Sequence, residues 1–468
     1  MSDSPPTPFR TRLLAGFRRL VGILLGGAET LLAGTFLVLI LVGTILLSLP
    51  AAHSTGEVGF LDALFTATSA VCVTGLTVVD TGRDFSYFGH CVIMVLIQLG
   101  GLGIMTFAAL AAQLLGRRLS FRQQAIVGDT FFQSDSATAL RRDLGWIVGS
   151  TLFIEAVGAA LLYLWFRQGS QGHGPLFTAV FHAISAFCNA GFSLYSDSLT
   201  GFGRHSGLLV VCMVLIILGG LGHTVILEMA RRSFGGWRRR PAGPVCWNLN
   251  SRVVLRTSAA FIVIGAAMLA AFGGRPDGMG KGEWLLHATF QSVSARTAGF
   301  NTVPIVSLPL ASLLVLMLLM FVGGSPGSCA GGIKTTSAVV WAAMLRARLK
   351  GRQDVTMLGR RLSDDVLSRA MVVVGLAILW NTSGCLILAL TETSQGDVAL
   401  QHLVFEQVSA FGTVGLSTGI TPQLSWMGKL WIILSMFVGR VGPLTAALAV
   451  LPMASAKIRY PEERLMIG

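Results

Sequence analysis

Four stretches of this 468-residue chain repeat one another: FTATSAVCVTGLT, FHAISAFCNAGFS, FQSVSARTAGFNT and FEQVSAFGTVGLS. From the opening Phe to the Gly the spacing is ten residues in three copies (Phe65 to Gly75, Phe181 to Gly191, Phe405 to Gly415) and nine in the remaining one (Phe290 to Gly299). A second mark follows each copy: Leu99-Gly100-Gly101-Leu102-Gly103, Leu218-Gly219-Gly220-Leu221-Gly222, Val322-Gly323-Gly324 and Val438-Gly439-Arg440. Two marks recurring in register four times define a module, and the fold is expected to be four copies of it.

The medium follows from what surrounds the marks. Hydrophobic residues make up 53% of the chain, charged residues 12%, and the mean hydropathy is +0.70. A soluble domain carries about 25% charged residues, so the surface of a soluble enzyme is missing. Apolar runs at 31–49, 90–115, 145–166, 207–229, 253–272, 310–341, 370–390 and 430–453 supply eight candidate spans, each near the roughly 20 residues that cross a bilayer. Basic residues crowd into alternate connections: the N-terminal tail, 116–142, 231–256, 346–369 and the tail after 453. The other connections hold only Arg83, Arg167, Arg204, Arg275, Lys281 and Lys429. The positive-inside rule then places both termini in the cytoplasm and every glycine loop outside. The formal net charge of +13 is a topology signal whose partner is membrane lipid rather than nucleic acid. The basic start lacks a small-residue cleavage site, so it is read as an amphipathic helix on the inner leaflet rather than a removable signal. The expected division is a tail at 1–28, units at 29–140, 141–240, 251–350 and 361–456, and a tail at 457–468.

Each unit reads as span, half-length helix, glycine loop, span. Two full spans return the chain to its starting side, so the copies share one orientation and are related by rotation about the membrane normal, unlike inverted repeats. Irregular backbone at membrane depth is tolerated only inside protein or along an aqueous cavity. Four such loops meeting on an axis turn carbonyls that would otherwise lack partners into replacements for an ion's hydration shell. The half-helices aim their partly negative C-terminal ends at that site, which favours a cation. The loops contain no carboxylate, so a monovalent cation fits better than a divalent one. The expected fold is an all-α membrane protein with four pseudo-symmetric repeats, eight spans and four re-entrant helices around a central pore.

On these motifs the chain resembles the Trk/Ktr/HKT superfamily of potassium transporters over nearly its whole length. The loops VTGLT, NAGFS, TAGFN and TVGLS match that family's selectivity-filter pattern. GGSPGSCAGGIKTT (323–336) looks like its intramembrane loop, and the ending RYPEERLMIG is similar to that of bacterial members. Only two weakly apolar turns precede the first unit, so the likeness is to the Ktr-type membrane subunit. The resemblance implies K⁺ uptake, Na⁺ as an activator or partner, no organic cofactor, a homodimer with one pore per chain, and a cytosolic RCK/KTN-type nucleotide-binding ring. It also implies the filter set: Cys72, Val73, Thr74 and Gly75; Cys188, Asn189, Ala190 and Gly191; Arg296, Thr297, Ala298 and Gly299; Gly412, Thr413, Val414 and Gly415. Sodium-selective plant relatives carry serine where Gly75 stands, so K⁺ and Rb⁺ are expected over Na⁺.

The candidate gate is a break in the sixth span at Gly323, Gly324, Ser325, Pro326, Gly327, Ser328, Cys329, Ala330, Gly331 and Gly332, ending at Lys334. The run nearly spells a nucleotide-binding P-loop, but Ile333 separates the last Gly from the Lys and no strand precedes it. Arg440, a cation in an apolar span, is expected to face the bundle interior and hold that loop through its carbonyls. Lys334 is read as gating or as snorkelling to the inner interface. Arg296 is read as pairing with Glu406 or as controlling ion entry directly, with the pairing favoured, while Asp62, Asp80 and Asp84 lend the outer mouth a mild cation-attracting field. His182, His287 and His402 follow from the repeat. The seven cysteines, without metal-ligand spacing, read as packing residues. Glu155 has no role in this scheme. No HExxH or converging carboxylates are present, so an intramembrane enzyme is disfavoured. The basic segments 116–142, 231–256 and 346–369 are the expected docking surface for the cytosolic ring.

Overall fold

The computed structural model describes residues 28–54, 58–103, 137–167, 173–234, 247–275, 278–392 and 398–450. The expected inner-leaflet helix, residues 116–136 and 235–246 of the basic segments, and the C-terminal tail lie outside the described residues. Most of what is described is helical. The first unit comprises α1 (Ala28–Leu47), the half-length α2 (Phe60–Val71), the short α3 (Thr81–Asp84) and the inner helix α4 (Tyr87–Gly101). The second has α5 (Ala137–Phe166), α6 (Pro175–Phe187), α7 (Ser206–Leu221) and α8 (His223–Phe234). The third has α9 (Leu249–Phe272), α10 (Lys281–Ser294), α11 (Leu310–Phe321) and α12 (Thr335–Leu349). The fourth has α13 (Asp364–Glu392), α14 (Leu400–Gly412), α15 (Trp426–Val441) and α16 (Pro443–Val450).

The first helix of each unit turns apolar side chains outward. Leu41, Phe153, Val263 and Leu379 are all exposed, an arrangement that only lipid or another apolar surface makes stable. The half-length helices are exposed at their starts but buried toward their C-terminal ends, where residues 67–71, 185–187, 290–294 and 405–412 are covered. The Phe that opens each repeat is its anchor, with Phe65, Phe181, Phe290 and Phe405 at most 1% exposed.

The inner span of the third unit is broken as expected, whereas those of the second and fourth units depart from the expectation of continuous helices. Among the described residues, three helices are long and apolar enough to cross a bilayer unbroken (Gly145–Phe166, Leu249–Phe272, Asp364–Glu392), and Ser206–Leu221 with His223–Arg232 makes a further span bent by 105°. The second glycine mark is where each inner helix stops. Gly222 (φ +89°) and Gly442 (φ +97°) follow the last helical residue with a positive φ that favours glycine, and the chain leaves α11 at Val322. Hydropathy alone misses the stops at Gly222 and Gly442 because apolar residues recur just beyond them, Val225, Ile226 and Leu227 after the first and Leu444, Ala446 and Ala447 after the second.

In the first, second and fourth units the same mark brings the inner helix against its own half-helix. A Cβ on Gly100, Gly219 or Gly439 would overlap the backbone carbonyl of Val71, Phe187 or Phe411 respectively. Each inner helix also packs on the half-helix of the following unit: α4 on α6, α7 on α10, α11 on α14, and α15 back on α2. The last of these closes the circle. At the seam, Lys429 Nζ lies 2.9 Å from Asp62 Oδ1.

One feature of the basic segment 346–369 is absent from the sequence expectation. It carries a two-stranded hairpin, β1 (Thr356–Met357) and β2 (Arg360–Arg361), turned by Leu358 and Gly359 with φ of +48° and +80°. Two successive positive φ angles match the right-handed twist of paired strands.

Candidate functional site

The four glycine loops share one backbone course. In each, the Gly and the residue two before it are left-handed: Val73 and Gly75, Asn189 and Gly191, Thr297 and Gly299, Thr413 and Gly415. A serine in each half-helix ties the returning strand down. Ser69 and Ser409 hydroxyls accept from the N–H of Gly75 (3.0 Å) and Gly415 (3.2 Å), while Ser185 and Ser294 donate to the carbonyls of Phe192 (2.7 Å) and Phe300 (2.5 Å). The Ser-Ala pair that supplies them recurs in all four segments. It was the signal available for these residues, which motif reading confined to the glycines overlooks. The shorter third copy is also explained: α10 runs to its serine, Ser294, and the loop is one residue shorter.

The loops meet. A Cβ on Gly75 would collide with the Ala190 carbonyl, and one on Gly415 with the Thr74 carbonyl. One on Gly191 would lie 2.8 Å from the Ala298 carbonyl, and one on Gly299 2.5 Å from the Val414 carbonyl. First touches second, second third, third fourth, and fourth first. Four carbonyls, each from the residue before a glycine, therefore stand between neighbouring loops of a closed ring. Only glycine lets the strands come this close with φ between +68° and +92°. The helices behind the ring end at Cys72, Cys188, Ala295 and Thr413, directing their negative ends inward.

Loop 323–334 is held by the ends of the inner helices, whose last carbonyls have no helical partner. Cys329 and Ser325 donate their N–H to the carbonyls of Gly219 (3.3 Å) and Gly220 (3.2 Å), and Gly332 to that of Gly439 (3.1 Å). His223 N–H returns a bond to the Gly327 carbonyl at 3.1 Å. The loop also reaches up to the ring, where Gly331 N–H donates to Thr413 Oγ1 at 3.1 Å. Arg440 is buried and donates to the carbonyls of Cys329 in the loop and Gly100 of the first unit. Lys334 folds back onto the loop, Nζ to the Ala330 carbonyl at 2.6 Å.

Several charged residues sit differently from expectation. Glu406 does not pair with Arg296. Its carboxylate is filled from its own loop by Ser417 Oγ (2.6 Å), Thr418 N (2.9 Å) and Thr421 Oγ1 (2.8 Å). Arg296 reaches the Gly323 carbonyl at 3.4 Å and lies 5.9 Å from the Phe261 ring centroid, so its side chain faces the loop. Asp80 caps α3 and Asp84 accepts from Asp80 N at 2.7 Å, while Asp62 pairs across the seam with Lys429. His182 and His287 brace the returning strands through Ser193 Oγ (3.1 Å) and Thr302 Oγ1 (2.7 Å). His402 makes no comparable link among the described residues. Replacing Glu406 with Gln, which turns an all-acceptor group into one that also donates, is expected to cost about 1–3 kcal/mol and to lower the thermal midpoint of the detergent-solubilised protein.

The family model for TrkH, a cation transport protein, matches residues 30–459. The chain belongs to this family of membrane cation transporters. It is 37% identical over 451 residues to the Ktr system potassium uptake protein B of Vibrio alginolyticus, covering 95% of each chain. It is 34% identical to the potassium/sodium uptake protein NtpJ of Enterococcus hirae, over 94% of this chain and 96% of that one. The fold matches the crystal structure of the potassium transporter TrkH from Vibrio parahaemolyticus with a TM-score of 0.64 at 19% identity, covering 90% of this chain and 85% of that one. The family is one of transporters, not enzymes.

Proposed function

We propose that this chain takes up K⁺ through the ring of carbonyls around Gly75, Gly191, Gly299 and Gly415, its selectivity filter, with loop 323–334 as the gate beneath. The observation that carries this reading is the closed succession of contacts among the four loops. Carbonyl dipoles fixed on one axis replace the hydration shell of a monovalent cation without adding full negative charge. An interior-negative potential assists entry by about 2.3 kcal/mol per charge per 100 mV. The four units keep the boundaries given above. Both termini are cytoplasmic in a bacterial inner membrane, and the chain acts as a homodimer on an RCK/KTN-type nucleotide-binding ring. The described hairpin of 346–369 lies in one of the basic segments proposed to dock it.

Uptake of radioactive Rb⁺ into vesicles containing the purified chain tests the substrate. Excess external K⁺ should abolish the signal, and equal Na⁺ or Li⁺ should leave most of it. Equal competition by all three would refute a K⁺-selective filter. The name of the Enterococcus hirae relative favours a second reading, in which Na⁺ is co-transported or permeant. Rb⁺ uptake that requires Na⁺, with Na⁺ entering in fixed proportion, would establish that reading instead.

A further inference from the structure

Where the second unit meets the third, a small cavity lies behind the loops. Ile216 and Gly220 of α7, Ser258 and Ile262 of α9, Arg296 after α10 and Gly324 of loop 323–334 line it. Arg296 is 8% exposed and Ser258 5%. Arg296 Nε and Ser258 Oγ both lack a hydrogen-bond partner among the described residues. The backbone acceptors beside them are already engaged. The Gly220 carbonyl accepts from Ser325 N–H, and the Gly323 carbonyl accepts from Arg296 Nη2 at a long 3.4 Å. The Phe261 ring, 5.9 Å from the guanidinium, is a partial partner at most. No carboxylate is among the residues lining the cavity. The site is thus left with two groups able to donate and one permanent positive charge. A charge at membrane depth is expensive and normally has a partner.

The cavity measures about 20 Å³. One water needs at least about 10–15 Å³, so the space takes a single atom-sized guest and excludes phosphate, sulfate or a carboxylate group. Water would satisfy the two donors but leave the charge standing, whereas a monatomic anion answers both. We propose that this cavity is a halide site, with chloride bound as the counter-ion of Arg296 and held by Arg296 Nε–H and Ser258 Oγ–H. Arg296 stands two residues before Ala298, whose carbonyl belongs to the ring. Unscreened, the guanidinium repels a cation approaching that carbonyl; paired with chloride, it does so far less.

The effect on uptake rests on the filter reading above, whereas occupancy of the cavity does not. Crystals of the full chain grown in bromide, with anomalous scattering measured at the bromine edge, test occupancy. A peak touching Arg296 Nε and Ser258 Oγ is expected in the wild type and none in Arg296→Gln. A wild-type cavity that holds only water overturns the proposal, and needs no variant to fold. A peak that persists in Arg296→Gln overturns the guanidinium as the anion's partner. Rb⁺ uptake into vesicles should fall about tenfold when chloride on both sides is replaced by gluconate, which the cavity cannot admit, and recover in bromide. The chloride-to-gluconate ratio should be close to one in Arg296→Gln, whatever that variant's own rate. Bound bromide with equal uptake in the two media supports the site and refutes its screening of the ring. Bound bromide in a wild-type chain that takes up no Rb⁺ in either medium supports the site and refutes the transport reading instead.

Discussion

Gly75→Ser is expected to raise Na⁺ permeation relative to K⁺ by about tenfold, equivalent to about 1.4 kcal/mol of discrimination, with Rb⁺ uptake reduced. Two independent obstacles meet at this position. Gly75 has φ +92°, where a residue with a side chain carries about 1–3 kcal/mol of strain. The serine Cβ would also overlap the Ala190 carbonyl and lie 3.0 Å from the Cα of Gly191. The first and second loops must therefore part, and the Ala190 carbonyl must rotate or retreat. A wider ring with one displaced carbonyl and a nearby hydroxyl coordinates a smaller, partly hydrated ion better than the wild-type ring does. The closed contact order makes a sharper claim: alanine at any of the four glycines should impair Rb⁺ uptake, because each meets the carbonyl of the next loop. Parallel flux measurements with Rb⁺ and Na⁺ check this, and unchanged selectivity in Gly75→Ser would count against a filter at the ring.

Arg440→Ala should increase Rb⁺ uptake by about tenfold in the absence of any activator. The guanidinium joins the carbonyls of Cys329 and Gly100, tying loop 323–334 in the third unit to inner helices of the fourth and first. Bonds from a charged group to buried carbonyls contribute about 1.5–3 kcal/mol each, and losing even 1.4 kcal/mol from the closed state shifts a two-state equilibrium tenfold. Arg440→Lys should lie between, since an ammonium does not bridge two separated carbonyls as a planar fork does. Alanine leaves other bonds in place: Gly219, Gly220 and Gly439 still accept from the loop's N–H groups. The loop is therefore loosened without losing its path. Uptake that stays low and regulated in Arg440→Ala would rule out the latch.

What was legible in the sequence and what was not follow from how local the physics is. The four loops were legible because positive φ and close backbone approach select glycine so strongly that spacing alone exposes them. Arg440 was legible for a related reason: a cation in an apolar run has few acceptors, and an interrupted span supplies the nearest. The pairing of Arg296 with Glu406 was misjudged because charge invites a charged partner. Ser417, Thr418 and Thr421 satisfy the carboxylate locally, and no pattern announces three hydroxylated residues in one turn. The inner-helix breaks were hidden because Gly222 and Gly442 lie in runs whose hydropathy continues past them, and hydropathy carries no information about φ. The serines that hold the loops were in plain view but are common residues, and only their burial beside a returning strand reveals their work. The order in which the loops touch is a tertiary property, set by each inner helix packing on the next half-helix, and no pairwise spacing encodes it.

Diffraction from crystals grown in Rb⁺ or Tl⁺, with anomalous scattering located at the metal's absorption edge, tests the ring most directly. A peak on the axis within coordination distance of the carbonyls of Thr74, Ala190, Ala298 and Val414, lost when K⁺ is exchanged for Na⁺, is the expected result. Anomalous peaks elsewhere in the bundle with none inside the ring, from crystals of a preparation that transports Rb⁺, would contradict conduction through it.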